Sequence, residues 1–448
     1  MIDVEVIERY LSCTSAATRP SSLHGRNSEL CMDAWWPKVV RSSGREMVGW
    51  LSAICFFISS IWYDFLKFYF HLEFNRSAVF AGALGLAVVR IALTPAETLK
   101  ELQSYRWVGL LAGYFVISSA LHVALGLPPD AKNLSMYAAP VVAILFLFNR
   151  RPLVHLLVAT VVVSALIEIH EAYFQTYWYV WRDEFITHNE ALYVSKAGIF
   201  RAKGLFAGPL NGYGLGLLAL LLSEFSIMAV AAVSLSAALA ATKSGIVASC
   251  GAILLRSFNR EKMIVSLLLS SILVVGYLGL SQAIIARFWV KHPAETAPQV
   301  DHRPQLEVRP RSLPDYLSIV VDPKVSSTRD RIISWEKGIL DFSQFSAFHI
   351  VFGDPNFAYR VPDYMDRGVE SSILKEVQDY GLIGTLIATV AKVLTFFALW
   401  RRSLKMAIGF AAYCAIAAVS PVYVPLGANV FLWLFMMGAI TPDLAPRA

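Results

Sequence analysis

ESSILKEVQDYGLIGTLIATVAKVLTFFALW, Glu370 to Trp400, changes character partway along. Its opening is polar, with Ile373, Leu374 and Val377 at helical spacing on one face. From 379 to 399 it is almost wholly apolar, long enough for a helix to cross a hydrocarbon layer of roughly 30 Å. A Gly-x-x-Gly, Gly381 to Gly384, sits at the join. The same kind of apolar run recurs through the chain, and that recurrence decides the fold class.

Hydrophobic residues make up 56% of the 448 and charged residues 16%, against roughly 25% charged in a soluble domain. Mean hydropathy is +0.54. Apolar runs lie near 47–63, 77–94, 107–126, 134–149, 152–169, 205–222, 225–241, 243–257, 264–285, 379–399, 404–420 and 424–440, the fourth, seventh and eighth being short. They predict an all-α polytopic membrane protein of about 12 transmembrane helices. No internal repeat of the kind that marks two-halved transporters is visible.

The net charge of +6 and pI of about 9.0 would point to nucleic acid in a soluble protein. Here the basic residues gather in short loops: Lys100 to Arg106, Arg150 and Arg151, Arg256 to Lys262, Arg401, Arg402 and Lys405. The opposite loops hold little beyond Lys67, Arg76, Lys132 and Lys243. The charge therefore reports topology, with both termini cytoplasmic, and no nucleic-acid partner is expected. Residues 1–46 read as a cytoplasmic tail, 47–285 as helices 1–9 with an outer loop at 170–204, and 286–378 as a large outer loop. Helices 10–12 follow over 379–440, and 441–448 is a second cytoplasmic tail. Within the large loop, 292–315 is Pro-rich and charged, while 329–345 shows helical spacing at Ile333, Ile339 and Leu340, so the loop is expected to be mainly helical. Cys13, Cys31, Cys55, Cys250 and Cys414 suggest no disulfide framework.

The residues that could carry chemistry cluster in the two outer loops. Glu370, two residues after Gly368, would lie in a first helical turn, where free backbone N–H groups favour an anion; it could serve as a base or simply stabilise the helix. Arg201 and Lys203 in GIFRAKGLFAGPLN, and Arg329 and Arg331 in STRDRIISW, could grip a diphosphate or snorkel to lipid head groups. Gly208, Pro209, Gly212 and Gly214 would loosen the outer end of the sixth span, with Asn211 needing partners there; a plain kink is the alternative. The aromatic run HEAYFQTYWYVWR, His170 to Arg182, suits stacking on sugars or, more simply, an interfacial belt. The histidines show no zinc-ligand spacing, and Asp-x-Asp, P-loop and dinucleotide motifs are missing, so neither metal nor cofactor is expected.

The order of these pieces resembles the O-antigen ligase and polymerase superfamily of bacterial envelopes. Arg201, Gly204, Phe206 and Asn211 match the element before the sixth span, and Arg331 with Trp335 matches an Arg-x-x-x-Trp element in the large loop. Phe352-Gly353-Asp354 follows, and then Glu370, Ser371, Gly381 and Gly384 stand where the ligases have a histidine, a small polar residue and a Gly-x-x-Gly. Glutamate in place of histidine looks more like members that polymerise exopolysaccharide, capsule or O-antigen repeat units. The resemblance implies an enzyme of the bacterial inner membrane with a periplasmic active site. Its substrate would be an oligosaccharide on undecaprenyl diphosphate, joined to a glycan acceptor by metal-independent inverting transfer.

On that resemblance Arg201, Arg329 and Arg331 would hold the diphosphate and Glu370 would deprotonate the acceptor hydroxyl. Lys203, Asn211, Trp335, Asp354 and Ser371 would line the substrate site, and Gly204, Gly208, Pro209, Gly381 and Gly384 would shape the backbone. Membrane lipids, a chain-length regulator and export machinery are the further partners it implies. Two alternatives stay open: a ligase moving finished glycan to lipid A core or protein, and a polysaccharide exporter or lipid-linked sugar flippase.

Overall fold

The computed structural model describes residues 44, 46–93, 106–127, 134–179, 200–206, 209–240, 242–284, 287, 335–336, 338–340, 342–354, 371–419 and 426–440. Among these the secondary structure is helical, without strands. The principal helices are α1 (Glu46–Ser60), α2 (Tyr63–Tyr69), α3 (Arg76–Ala92), α4 (Arg106–Ala124), α5 (Leu134–Phe146), α6 (Arg150–Phe174), α7 (Pro209–Leu222), α8 (Ile227–Leu239), α9 (Lys243–Ser257), α10 (Met263–Ile284), α11 (Ala347–Phe352), α12 (Ser372–Arg402), α13 (Leu404–Val419) and α14 (Leu426–Ile440). Residues 335, 336, 338–340, 342 and 343 are helical too, in the stretch where helical spacing was read.

Polarity in this bundle runs inside out. On α10 the buried side chains are Ser266, Ser270, Tyr277 and Ser281, whereas Ile264, Val265, Leu268, Ile272 and Val275 face outward. Water would reverse that arrangement, while lipid favours it, because small polar side chains let helices approach and find hydrogen-bond partners within the bundle. Tyr277 donates from its hydroxyl to the Ser234 carbonyl of α8 (2.9 Å), one such partner. At the centre α14 is buried on all sides from Val430 to Met437, packing against α5, α7 and α12.

Among the described residues, three helices are long and apolar enough to cross a membrane, α6, α10 and α12, or four if the pair α1 and α2, bent by 65°, counts as one span. The remaining apolar helices are shorter. The chain is thus all-helical with apolar helices compatible with a membrane-embedded protein.

Two helices run beyond the apolar stretches read in the sequence. α6 continues to Phe174 and ends at Gln175 in the left-handed region (φ 54°), so 170–174 are helical. α12 begins at Ser372, whose preceding residue Ser371 caps it by accepting from Leu374 N (3.2 Å), so 372–378 are helical. α7 begins at Pro209, where proline costs no hydrogen bond, and runs through Gly212 and Gly214 without a break. From Pro209 to Leu222 the helix shows no loosening. Gly212 instead makes room for a ring: a Cβ on it would lie 2.5 Å from Phe206 Cδ2.

α12 is broken at Gly381 (φ 67°, ψ −174°). In a straight helix, Glu376 and Lys392 would be about 24 Å apart, beyond the reach of their side chains. They form an ion pair at 2.5 Å, so the chain folds sharply at Gly381, and 372–380 lies against the longer part. Gly353 (φ 83°) fits into the fold: a Cβ on Gly381 would lie 2.3 Å from Gly353 N, and one on Gly353 2.2 Å from the Asp379 carbonyl oxygen. Only glycine adopts the Gly381 conformation without strain. Gly381→Ala and Gly353→Ala are each expected to lower the apparent Tm of the purified protein, the backbone strain alone costing about 1–3 kcal/mol. Gly276→Ala, whose Cβ meets nothing within 4 Å, should leave the Tm unchanged in the same melting series.

Candidate functional site

Segment 200–206 leaves regular structure immediately before α7, and its backbone is held by side chains of α6 and the aromatic turn after it. Glu171, fully buried, accepts from three backbone N–H groups: Trp178 through Oε1 (3.2 Å), Lys203 (2.8 Å) and Gly204 (2.9 Å) through Oε2. Ser164 Oγ accepts from Leu205 N (3.1 Å). Tyr177 and Tyr179 donate their hydroxyls to the carbonyls of Arg201 (3.2 Å) and Leu205 (3.1 Å). Gly204 has φ 59°, and a Cβ there would lie 2.2 Å from Ser164 Oγ, so glycine is required on both counts.

This frame presents two cations. Arg201 is half-buried, and Lys203 is buried with its Nζ 3.4 Å from the centroid of Tyr179 and 5.7 Å from that of Tyr177. An ammonium over an aromatic face is stabilised by the ring quadrupole. Burial nevertheless pulls the Lys203 pKa down from 10.5 to about 8, with Glu171 and Asp64 opposing the shift. The aromatic run divides its labour. Tyr177 stacks on Phe200 (4.7 Å) inside the cluster and Trp178 on the exposed Tyr69 (5.3 Å) at its edge, while Tyr173 and Phe174 face outward as a belt would.

A second cluster surrounds the fold in α12. Asp354 N donates to the Gln378 carbonyl (2.7 Å), His122 Nε2 to the Gly353 carbonyl (2.9 Å), and the Tyr114 hydroxyl to the Tyr380 carbonyl (2.7 Å). Gly384 accommodates Tyr114, since a Cβ on it would lie 2.7 Å from that ring. Glu376, Gln378, Asp379 and Asp354 are all buried, with Lys375 paired to Asp379 (2.7 Å) and Lys392 to Glu376. Ser371 Oγ also donates to the Ala418 carbonyl of α13 (2.7 Å).

The structure therefore joins Arg201, Lys203 and Gly204 in one cluster and Asp354, Gly381 and Gly384 in the other, with Ser371 at the start of the helix that leads to Gly381. Trp335 is helical and half-buried. Pro209 and Asn211 are the first and third residues of α7. Glu370, Arg329, Arg331 and Gly208 lie outside the described residues, as do 1–43, 180–199, 288–334 and 441–448.

Glu171, Glu376 and His122 are central here and were not singled out in the sequence. Glu171 had a signal: with Glu168 it places two acids a turn apart in an apolar helix, where ionisable residues are costly and have a reason. The pairing of Glu376 with Lys392 had none, because it exists only once the chain folds at Gly381. No protein-family model matches the sequence, and no curated protein does.

Glu171→Gln keeps one acceptor oxygen but turns an NH₂ group toward backbone donors. It should lose at least one charge-assisted hydrogen bond, each worth about 1.5–3 kcal/mol, seen as a lower Tm and faster amide exchange in 200–206. For Lys203, the unfolded chain holds more protons than the folded one between pH 8 and 10.5, so stability should rise with pH across that window. Melting curves of wild type should show this gain, and those of Lys203→Met should lack it.

Proposed function

We propose that the protein is a membrane glycosyltransferase that polymerises oligosaccharide repeat units carried on undecaprenyl diphosphate, at the periplasmic face of a bacterial inner membrane. In this reading the apolar helices form about twelve crossings with both termini cytoplasmic, and the two polar clusters face the periplasm. The observation that carries it is the built cationic segment. Arg201 and Lys203 stand on a backbone fixed by Glu171 and Ser164 and walled by tyrosines, at the end of an apolar helix. Guanidinium and ammonium groups suit a diphosphate, aromatic faces suit the attached sugars, and the helix end suits the lipid tail.

The chemistry asks little more than positioning and charge. The acceptor hydroxyl attacks the anomeric carbon of the donor, the bond from that carbon to the diphosphate oxygen breaks, and the anomeric centre inverts. Glu370 takes the hydroxyl proton, and Arg201, Arg329 and Arg331 hold the charge of the departing diphosphate. One carboxylate suffices because the leaving group is already activated, unlike the two that a glycosidase needs. Gly353 locked against Gly381 supports the reading further, because it brings the Phe-Gly-Asp and Gly-x-x-Gly elements, some 28 residues apart in the chain, into direct contact.

The test is genetic, with the glycans as readout. Cells lacking the gene are complemented at matched protein levels with wild type, Glu370→Gln or Arg201→Ala, and lipid-linked and surface glycans are sized. Each variant should cut polymer formation by about 100-fold or more, with single repeat units accumulating on the lipid carrier. Long polymer persisting on the carrier but missing from its final acceptor would make the protein a ligase. Repeat units trapped on the cytoplasmic face would make it a transporter. Near wild-type polymer from folded Glu370→Gln would remove that residue as the base.

A further inference from the structure

A cavity of about 10 Å³ lies inside the bundle between α6, α7, α8 and the start of α9, with room for one water-sized guest. Phe206 and Val233 form part of its apolar wall, and Ser164, Glu168, Ser236 and Thr242 supply oxygen atoms. Glu168 and Thr242 are buried, and among the described residues Glu168 Oε2 and Thr242 Oγ1 have no hydrogen-bond partner. Glu168 Oε1 accepts from Ser164 Oγ (3.2 Å), and Ser236 lines the same cavity. Among the described residues the charged neighbour acting on Glu168 is Glu171, of the same sign, whose own oxygens are taken by three backbone N–H groups.

A carboxyl group in such surroundings either keeps its proton or meets a counter-charge. The lining narrows what that charge can be. Carboxylate and hydroxyl oxygens are hard donors suited to a hard cation, with neither thiolate nor imidazole among them to favour a transition metal. One carboxylate is balanced by one positive charge, and the space admits a single small guest.

We propose that this cavity binds one monovalent cation of sodium size, held by Glu168 Oε2 and Thr242 Oγ1 with the hydroxyl of Ser236. The site would also bear on the cationic segment above it. Ser164, which bonds to Glu168, holds Leu205 N and packs against Gly204, so the guest is one side chain away from the backbone that carries Arg201 and Lys203. The inference stands apart from the glycosyl-transfer reading, since its readout is ion binding.

The experiment uses the full-length purified protein in detergent or nanodiscs, melted in sodium, potassium or choline chloride at equal ionic strength, with equilibrium binding of radioactive sodium ion alongside. Wild type should show a saturable rise in Tm with sodium that choline does not reproduce, and about one bound sodium per chain. Glu168→Gln and Thr242→Val should lose both, and Ser271→Ala, on the outer face of α10, should keep both. Should Glu168→Gln fail to fold, Thr242→Val and direct binding to wild type decide the matter. Equal melting of wild type in sodium and choline without bound sodium would overturn the proposal, as would a sodium response retained in both site variants. Wild type and Glu168→Gln melting alike in sodium, potassium and choline would show a protonated carboxyl in the cation's place, and would overturn it too.

Discussion

A backbone group that leaves a helix within an apolar surrounding must be met by a side chain, because no water is at hand to meet it. This bundle interrupts its helices in two places that matter, and at each one the chain supplies partners. At 200–206 the orphaned N–H groups go to Glu171 and Ser164, and the carbonyls of Arg201 and Leu205 go to tyrosine hydroxyls. At the fold around Gly381 the carbonyls of Gly353 and Tyr380 go to His122 and Tyr114, and that of Gln378 to the Asp354 N–H. Both polar clusters of the molecule follow from this bookkeeping of donors and acceptors.

The two interruptions are solved with opposite charge. In the first, a buried anion grips backbone donors, and the segment it holds carries a half-buried arginine and a buried lysine. In the second, acids and lysines pair across a sharp fold, so Glu376 and Asp379 each lie beside a partner of opposite sign. Unpaired charges in such places would cost several kcal/mol each. Regular α-helix could not have placed an arginine and a lysine beside tyrosines from the preceding turn, nor brought residue 376 to residue 392. Breaking the helices is what concentrates polar chemistry in an otherwise apolar bundle, and it needs glycine where the chain turns tightly, at Gly204, Gly353 and Gly381.

Glu168 and Glu171 illustrate how one helix face serves both structure and site. They lie on one side of α6, and Ser164 lies on the same side a turn earlier, so a single stripe supplies the clamp on 200–206 and the polar wall of the interior cavity. A change to any of the three would be felt by the others through Ser164.

The sequence by itself determined that the chain is helical and apolar enough to live in a membrane, and where the apolar helices fall, because hydrophobic runs of this length and frequency are a local property of the chain. It also marked Arg201, Lys203, Gly204, Asp354, Gly381 and Gly384 as positions with a purpose. Only the tertiary structure decided which of them meet. That Glu171 holds Lys203 and Gly204 depends on a carboxylate some thirty residues earlier returning to the same place. The fold at Gly381 was invisible because a Gly-x-x-Gly reads equally well as close helix packing or as a backbone break. The difference lies in a positive φ that glycine permits but does not require, and the contact with Gly353, fixed from another part of the chain, selects it.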